Sequence, residues 1–391
     1  MSERNLSPTK LGEGPKGGLP PWKEGEEINL LIAHWCLWGP GSSGMYETVR
    51  ELITAENQIE GVLAGFCMTP PARWTKPQLK EAMQGGKRDN LHPELTTQSW
   101  HWAKKHADIH LIHSTIPKEI GELRPLGFMC HGTPEATLAN DIERGTESFM
   151  PAARWTNNLD FSICTSRKAY DLWKPFDWGD KLHLVSKGID LEWWKRSTQK
   201  QDLDGEPSIL YGEIWRGIKH PLHMMHAINY IYESHTDKAR LNAWGLANVA
   251  KMETKKFWTE FMQLARFEKF IGKRGMRGIE PYPEHWYTRG DLLVGPGQYG
   301  DVSRVRQEAM ACGCPVVAWG TDLYDEMHAW KYAKPFDYRD MGDKIMETWS
   351  DVADDRLAVA KKVRALAERY FDINKEAEEI VAILRTVVSN Q

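Results

Sequence analysis

The sequence predicts an α/β protein built from two doubly wound parallel-sheet domains facing one cleft. Three observations predict it. Short apolar, β-branched runs alternate with amphipathic helical stretches, and the alternation runs through twice. A polar stretch near 196–207 containing Gly and Pro separates the two series. The length, 391 residues, suits two domains of ordinary size.

Residues 1–26 are rich in Gly, Pro, Lys and Glu and read as a mobile tail. Ile28–Cys36 (INLLIAHWC) is the first strand of a domain spanning 27–195. Gly39, Gly41 and Gly44 then form a flexible turn into a helix whose periodicity holds over Met45–Ile53. Such a turn lets backbone approach a ligand closely. Its spacing is not GxGxxG, so a dinucleotide fingerprint is not supported. Ile59–Cys67 is the second strand, with a helix expected near Lys76–Met83. Asp108–Ser114 is the third and Leu126–Gly132 the fourth. In CHGTPEATLAND, Thr133 caps a helix that starts at Pro134. His131 therefore stands at the carboxyl end of a strand, where open α/β sheets place ligands. A lone histidine is more often structural. A helix around Met150–Asn158 leads to a strand at Phe161–Ser166. Ser166 caps a helix over Lys168–Trp173, and Leu182–Ser186 is the sixth strand. Asp202-Leu203-Asp204 spells DxD, but no strand precedes it, and it reads as solvated charge in a linker.

The second domain, 208–370, opens on the strand Ser208–Tyr211. Arg216 and Lys219 sit in the turn before a helix with apolar positions Leu222, Met225 and Ile228. Two cations there suit a diphosphate, and they also suit a solvated basic turn. Leu241–Leu246 is a strand, Lys255–Phe267 a helix, Phe270–Gly272 a short strand and Asp291–Val294 a strand. Tyr299–Gly320 (YGDVSRVRQEAMACGCPVVAWG) is the most informative stretch. Ser303 reads as the N-cap of a helix over Arg304–Cys312, and Gly313 as its left-handed C-cap. Cys314–Trp319 is a buried strand. Free N–H groups at the helix start would attract a phosphate, and Glu308 lies one turn further in. An ordinary αβ unit with a surface glutamate fits the same pattern. Tyr324–Trp330, Asp343–Asp351, Asp355–Tyr370 and Lys375–Val388 read as helices.

The wording EAMACGCPVVA resembles the nucleotide-sugar signature of retaining GT-B glycosyltransferases, the glycogen-synthase-like and sucrose-synthase-like group. HGTPE and the order of elements resemble the same group. The resemblance implies the GT-B fold, with the last helix, 371–391, crossing back onto the first domain. It implies that Glu308 holds the donor ribose and that His131 touches the transferred sugar. Gly41, Gly44, Arg216, Lys219, Ser303 and Arg304 would contact the donor diphosphate. The chain departs from the group in two places. Gly300 stands where a first glutamate is usual, with Asp301 the nearest acid. Gly212-Glu213 stands where Gly-Arg is usual.

Composition limits the alternatives. The formal net charge is −4, so no global basic field points to nucleic acid. The 18 Trp suit stacking on sugars or bases, and suit a core equally. Six scattered Cys with no CxxC pair indicate a reduced, cytoplasmic protein without a disulfide or zinc framework. No apolar run reaches membrane-spanning length and no signal-peptide core is visible. No metal site and no cofactor are expected; a UDP- or GDP-type sugar is the implied co-substrate. The resemblance implies retaining transfer in which a donor phosphate oxygen takes the acceptor proton. Three readings follow, in this order: transfer to a carbohydrate or other hydroxyl acceptor, transfer to a hydroxymethylated base in DNA as in some viral enzymes, and non-catalytic nucleotide-sugar binding.

Overall fold

The computed structural model describes residues 27–36, 44–68, 97–99, 105–113, 123–135, 137–138, 159–176, 179–196, 203–213, 215, 219–244, 267–276, 283–297, 303–320 and 329–390. The helices expected at 76–83 and 150–158 lie outside these residues, as do 255–266 of the helix expected at 255–267 and 324–328 of the one expected at 324–330. The chain divides into two units. One runs to Ile189 and resumes at Ile373; the other is Asp190–Asp372.

In the first unit, β1 (Leu30–Trp35), α1 (Gly44–Glu56), β2 (Val62–Met68), β3 (Thr97–Ser99), β4 (Ile109–Ile112), β5 (Leu126–Cys130), β6 (Phe161–Cys164), α2 (Arg167–Trp173) and β7 (Leu182–Leu184) follow in order. The seven strands form one sheet in the order β3-β2-β1-β4-β5-β6-β7. Every pairing is parallel. β1 is apolar almost throughout because both its faces are covered. Leu30 and Ile32 join Val49, Leu52 and Ile53 of α1 in one core. Leu31, Ala33 and Trp35 face the other way, into a core with Ala169 and Trp173 of α2. Ser166 caps α2 as expected, its side chain accepting from the Ala169 N–H. Trp173 Nε1 donates to the carbonyl of Gly132, which fixes the turn after β5.

The second unit contains β8 (Ser208–Tyr211), α3 (Pro221–Ser234), β9 (Arg240–Ala243), β10 (Ile271–Met276), α4 (Pro283–Tyr287), β11 (Leu292–Gly295), α5 (Arg304–Ala311), β12 (Val316–Trp319), β13 (Lys331–Ala333) and α6 (Tyr338–Tyr370). Its six-stranded sheet has the order β10-β9-β8-β11-β12-β13, again all parallel. The first six strands of the first sheet have the same winding. α3 and α6 cover one face through Met224, Ile228, Met341 and Ile345. α6 contains a break at Asp355, whose φ of −154° and ψ of 88° are not helical. The sequence pattern read this run as two helices, Asp343–Asp351 and Asp355–Tyr370, which meet near this break.

A repeated device trims the strand starts. Asp108, Asp160 and Asp291 each accept, through Oδ2, the backbone N–H that opens or nearly opens the neighbouring strand: Leu31, Leu126 and Ser208. The boundary between units falls earlier than the polar stretch suggested. Arg364 on α6 donates to the carbonyls of Leu191, Trp194 and Ala311, so residues 190–194 are tied into the second unit. The last helix, α7 (Ile373–Ser389), belongs to the first unit and packs on α1, placing Ala377, Ile380 and Leu384 in its core. Among the described residues no helix is long and apolar enough to cross a membrane.

Candidate functional site

Both sheets reverse direction of winding once, between β1 and β4 and between β8 and β11. In doubly wound sheets ligands bind outside the carboxyl ends of strands at such a point. The chemistry-bearing side chains gather there in each unit.

In the second unit the site begins with α5. Its C-terminus is held by a Schellman closure: Gly313 N–H donates to Met310, Cys314 N–H to Ala309, and Gly313 has φ +75°. Only glycine takes that conformation freely. At its start, Ser303 occupies the N-cap position with extended backbone but makes no side-chain cap. The expected capping bond is replaced. Ser303 Oγ donates to Glu213 Oε1 at 2.6 Å.

Glu213 is the centre of this cluster, and the sequence reading treated it only as a departure. It lies just past β8, after Gly212, and is buried. Lys219 Nζ stands 3.6 Å from its Oε2, and Arg306 Nε 4.0 Å from its Oε1. Burial alone would raise this carboxyl. Lys219 and Arg306, with hydrogen bonds from Ser303 and Lys219, outweigh it and hold the group below its ordinary value. Arg306 also donates to the carbonyls of Gly295, the last residue of β11, and Gly297 just past it. A side chain at Gly297 would meet Glu213 Oε2 at 2.9 Å and Lys219 Cδ at 3.2 Å. The loop can cross this pair because Gly297 has no Cβ.

Glu308 is buried and braced on both oxygens. Arg304 Nε donates to Oε1 at 2.8 Å and Tyr287 OH to Oε2 at 3.0 Å. The Arg304 guanidinium lies 5.8 Å from the Trp194 ring centroid. Trp194, Trp244 and Trp286 form an aromatic wall about Tyr287. Arg304, expected to face a phosphate, is thus turned along its own helix toward Glu308. Burial first, then Glu308, keeps the Tyr287 phenol far above its ordinary pKa, so Tyr287 remains a donor.

His220, directly after Lys219, adopts the left-handed conformation at φ 48°. Its ring packs on Trp319 and Phe336. A non-glycine residue there is a strained turn beside Lys219.

In the first unit, His131 follows β5 and is half-buried. Its Nε2 lies 2.8 Å from His113 Nδ1. Burial, and then Lys187, lower its pKa well below the ordinary imidazole value. Gly44 opens α1. Gly41, Arg216 and Asp301 lie outside the described residues. All six cysteines are buried thiols. Among the described residues no group of three His, Cys, Asp or Glu side chains is placed to hold a metal ion.

Tyr287, Glu213, Arg306 and Trp194 were not found from the sequence. Tyr287 sits in the aromatic segment 273–290, where no residue could be singled out. Arg306 lies inside a helix, where an arginine ordinarily faces water.

Neither a family model nor a curated protein sequence matches the chain. Solved structures do. A glycosyltransferase from Rickettsia africae superposes with a TM-score of 0.66 at 15% identity, over 93% of this chain and 99% of that one. Anabaena Alr3699/HepE, in complex with UDP and glucose, gives 0.67 at 13% identity over 91% and 100%. Sucrose-phosphate synthase from Thermosynechococcus elongatus gives 0.69 at 14% over 93% and 100%. The chain is similar to these in its whole architecture: it has the two-domain GT-B fold.

Proposed function

We propose that the protein is a glycosyltransferase that takes a sugar from a nucleotide-diphosphate sugar and passes it to an acceptor hydroxyl. One observation carries this reading. Lys219, the N-terminus of α5 and Glu308 converge at the β8–β11 winding reversal of a GT-B fold. The N-terminus of α5 and Lys219 would meet the diphosphate charge as the glycosidic bond breaks. Glu308, held in place by Arg304 and Tyr287, would accept from the ribose hydroxyls. His131 would contact the transferred sugar. A UDP- or GDP-type donor, retention of configuration and independence of metal belong to the proposal, as does the donor phosphate oxygen as the base. Anabaena HepE is solved with UDP-glucose, which supports UDP as the first nucleotide to try. Fold alone does not fix chemistry, so the site has to be tested.

A second reading is favoured by one observation: Lys219 is paired with Glu213, which lowers its pull on an anion. Under it the protein binds a nucleotide sugar without transfer. The DNA-directed alternative gains no support from the structure or from its neighbours.

The test is a thermal-shift series with UDP, GDP and their sugars, with and without a divalent cation, followed by product analysis. A ligand that binds only the folded state must raise the melting temperature. Glu308→Ala and Lys219→Ala should each lose most of the shift while remaining folded. Binding with neither hydrolysis nor transfer to any glycan acceptor supports the second reading. No shift with any nucleotide at about millimolar concentration rejects both.

A further inference from the structure

Four side chains of the first unit form one hydrogen-bonded line. Glu56 ends α1, His34 lies in β1, His113 follows β4 and His131 follows β5. Glu56 Oε2 is 2.7 Å from His34 Nε2. His34 Nδ1 is 2.8 Å from His113 Nε2, and His113 Nδ1 is 2.8 Å from His131 Nε2. The rings stack successively with centroids 5.1 Å apart. Glu56 and His34 are completely buried and His113 is 1% exposed. Because β1, β4 and β5 are adjacent in the sheet, the three imidazoles line up across its carboxyl edge.

The chemistry of each group fixes the direction of the line. A neutral imidazole donates from one nitrogen and accepts at the other, and a carboxylate only accepts. An ionised Glu56 therefore takes the Nε2 proton of His34, leaving its Nδ1 to accept. His113 must then donate from Nε2 and accept at Nδ1. His131 must donate from Nε2, which leaves its Nδ1 a bare lone pair. That atom is buried and has no hydrogen-bond partner among the described residues. Leaving a buried acceptor unmet costs about 1–3 kcal/mol, so the position is shaped for a donor from outside the chain.

We propose that Glu56, His34 and His113 are positioning residues that hold His131 as a neutral hydrogen-bond and proton acceptor at Nδ1. The line has a second state with the same heavy-atom contacts. When Nδ1 of His131 takes a proton, its Nε2 proton passes to His113 Nδ1. The His113 Nε2 proton passes to His34 Nδ1, and the His34 Nε2 proton to Glu56 Oε2. One proton enters, one carboxylate becomes an acid, and no imidazolium remains. Charge around the line favours this outcome. Burial, then His34 and His131, lower His113; burial, then Lys187, lower His131. A neutral acceptor suits a sugar that gains positive charge, since an imidazolium would repel it. The identity of the donor as a hydroxyl of the transferred sugar rests on the proposed function; the state of the line does not.

Long-range nitrogen–proton NMR on the full chain with nitrogen-15 histidine tests this near neutral pH. His34, His113 and His131 should each carry their proton on Nε2 alone. Glu56→Gln, whose amide both donates and accepts, should let the line reverse. His131 would then show comparable Nδ1- and Nε2-protonated signals, three hydrogen bonds from the substitution. A wild-type His131 protonated on Nδ1, or an imidazolium at any of the three, overturns the proposal. So does a folded Glu56→Gln variant with unchanged tautomers. The wild-type spectrum decides alone if the variant does not fold. UDP thermal shifts are read separately, so failure of the nucleotide-sugar reading leaves this result standing.

Discussion

Glu376→Gln should stabilise the protein in alkaline solution and do nothing in mild acid. Glu376 stands in the first turn of α7 and is 1% exposed. Its Oε2 accepts the Gly188 N–H at 2.7 Å, while Oε1 has no hydrogen-bond partner among the described residues. Burial raises its pKa from 4.5 to about 8, with Glu56 and Glu51 adding to the rise and the Gly188 N–H and Lys187 opposing it. Between these two values the folded state keeps a proton that the unfolded chain has released. Stability must therefore fall as pH rises through this window and level off above it. The interval converts to at most about 5 kcal/mol, and relaxation around the ionised group leaves about 1–3 kcal/mol. Glutamine keeps the acceptor for Gly188 and carries no charge. Calorimetry at about pH 5 should show equal melting temperatures, and at about pH 9 the variant should melt roughly 3–10 °C higher. Equal melting at both, or a loss at high pH, would refute the assignment of Glu376 as a buried neutral acid.

Glu213→Gln removes a carboxylate held below its ordinary pKa. The stability that carboxylate contributes is present above the unfolded value and is lost as pH falls through the folded one. The variant should be about 1–3 kcal/mol less stable near neutral pH by chemical denaturation, with the difference closing in acid, and it should bind UDP more tightly because Lys219 is released. Tyr287→Phe should cost about 1–3 kcal/mol through the lost bond to Glu308 and weaken UDP binding in calorimetry; unchanged binding would separate Tyr287 from the site. Gly127→Ala should destabilise by about 1–3 kcal/mol or more in the same denaturation assay, since its Cβ would lie 2.0 Å from the Phe161 ring on the neighbouring strand.

The strands that the sequence made legible are the ones buried on both faces, where an apolar run is unavoidable. β8 and the α5–β12 unit were visible for that reason, and Gly313 marked the helix end through local geometry. β3 and β13 were missed. Each is three residues at a sheet edge, and LysTyrAla or ThrGlnSer carries no pattern to detect. Glu308 and Lys219 were recognised through their surrounding motifs, but their partners were not. Glu213 and Ser303 are 90 positions apart and meet only because β8 and β11 pair. His34 and His113 lay inside strand-like runs, where each looked like a single polar interruption. Their relation to His131 follows from sheet order, which spacing along the chain does not reveal.

The return of α7 to the first unit has a consequence for biosynthesis. Every residue of the second unit leaves the ribosome before the helix that completes the first core. The second unit is one uninterrupted stretch and can close on itself as it emerges. The first must wait, with the flank of α1 that receives Ile380 and Leu384 uncovered, until α7 is made. During that interval a chaperone has a defined apolar surface to shield, and a stop codon near 372 would leave the exposure permanent.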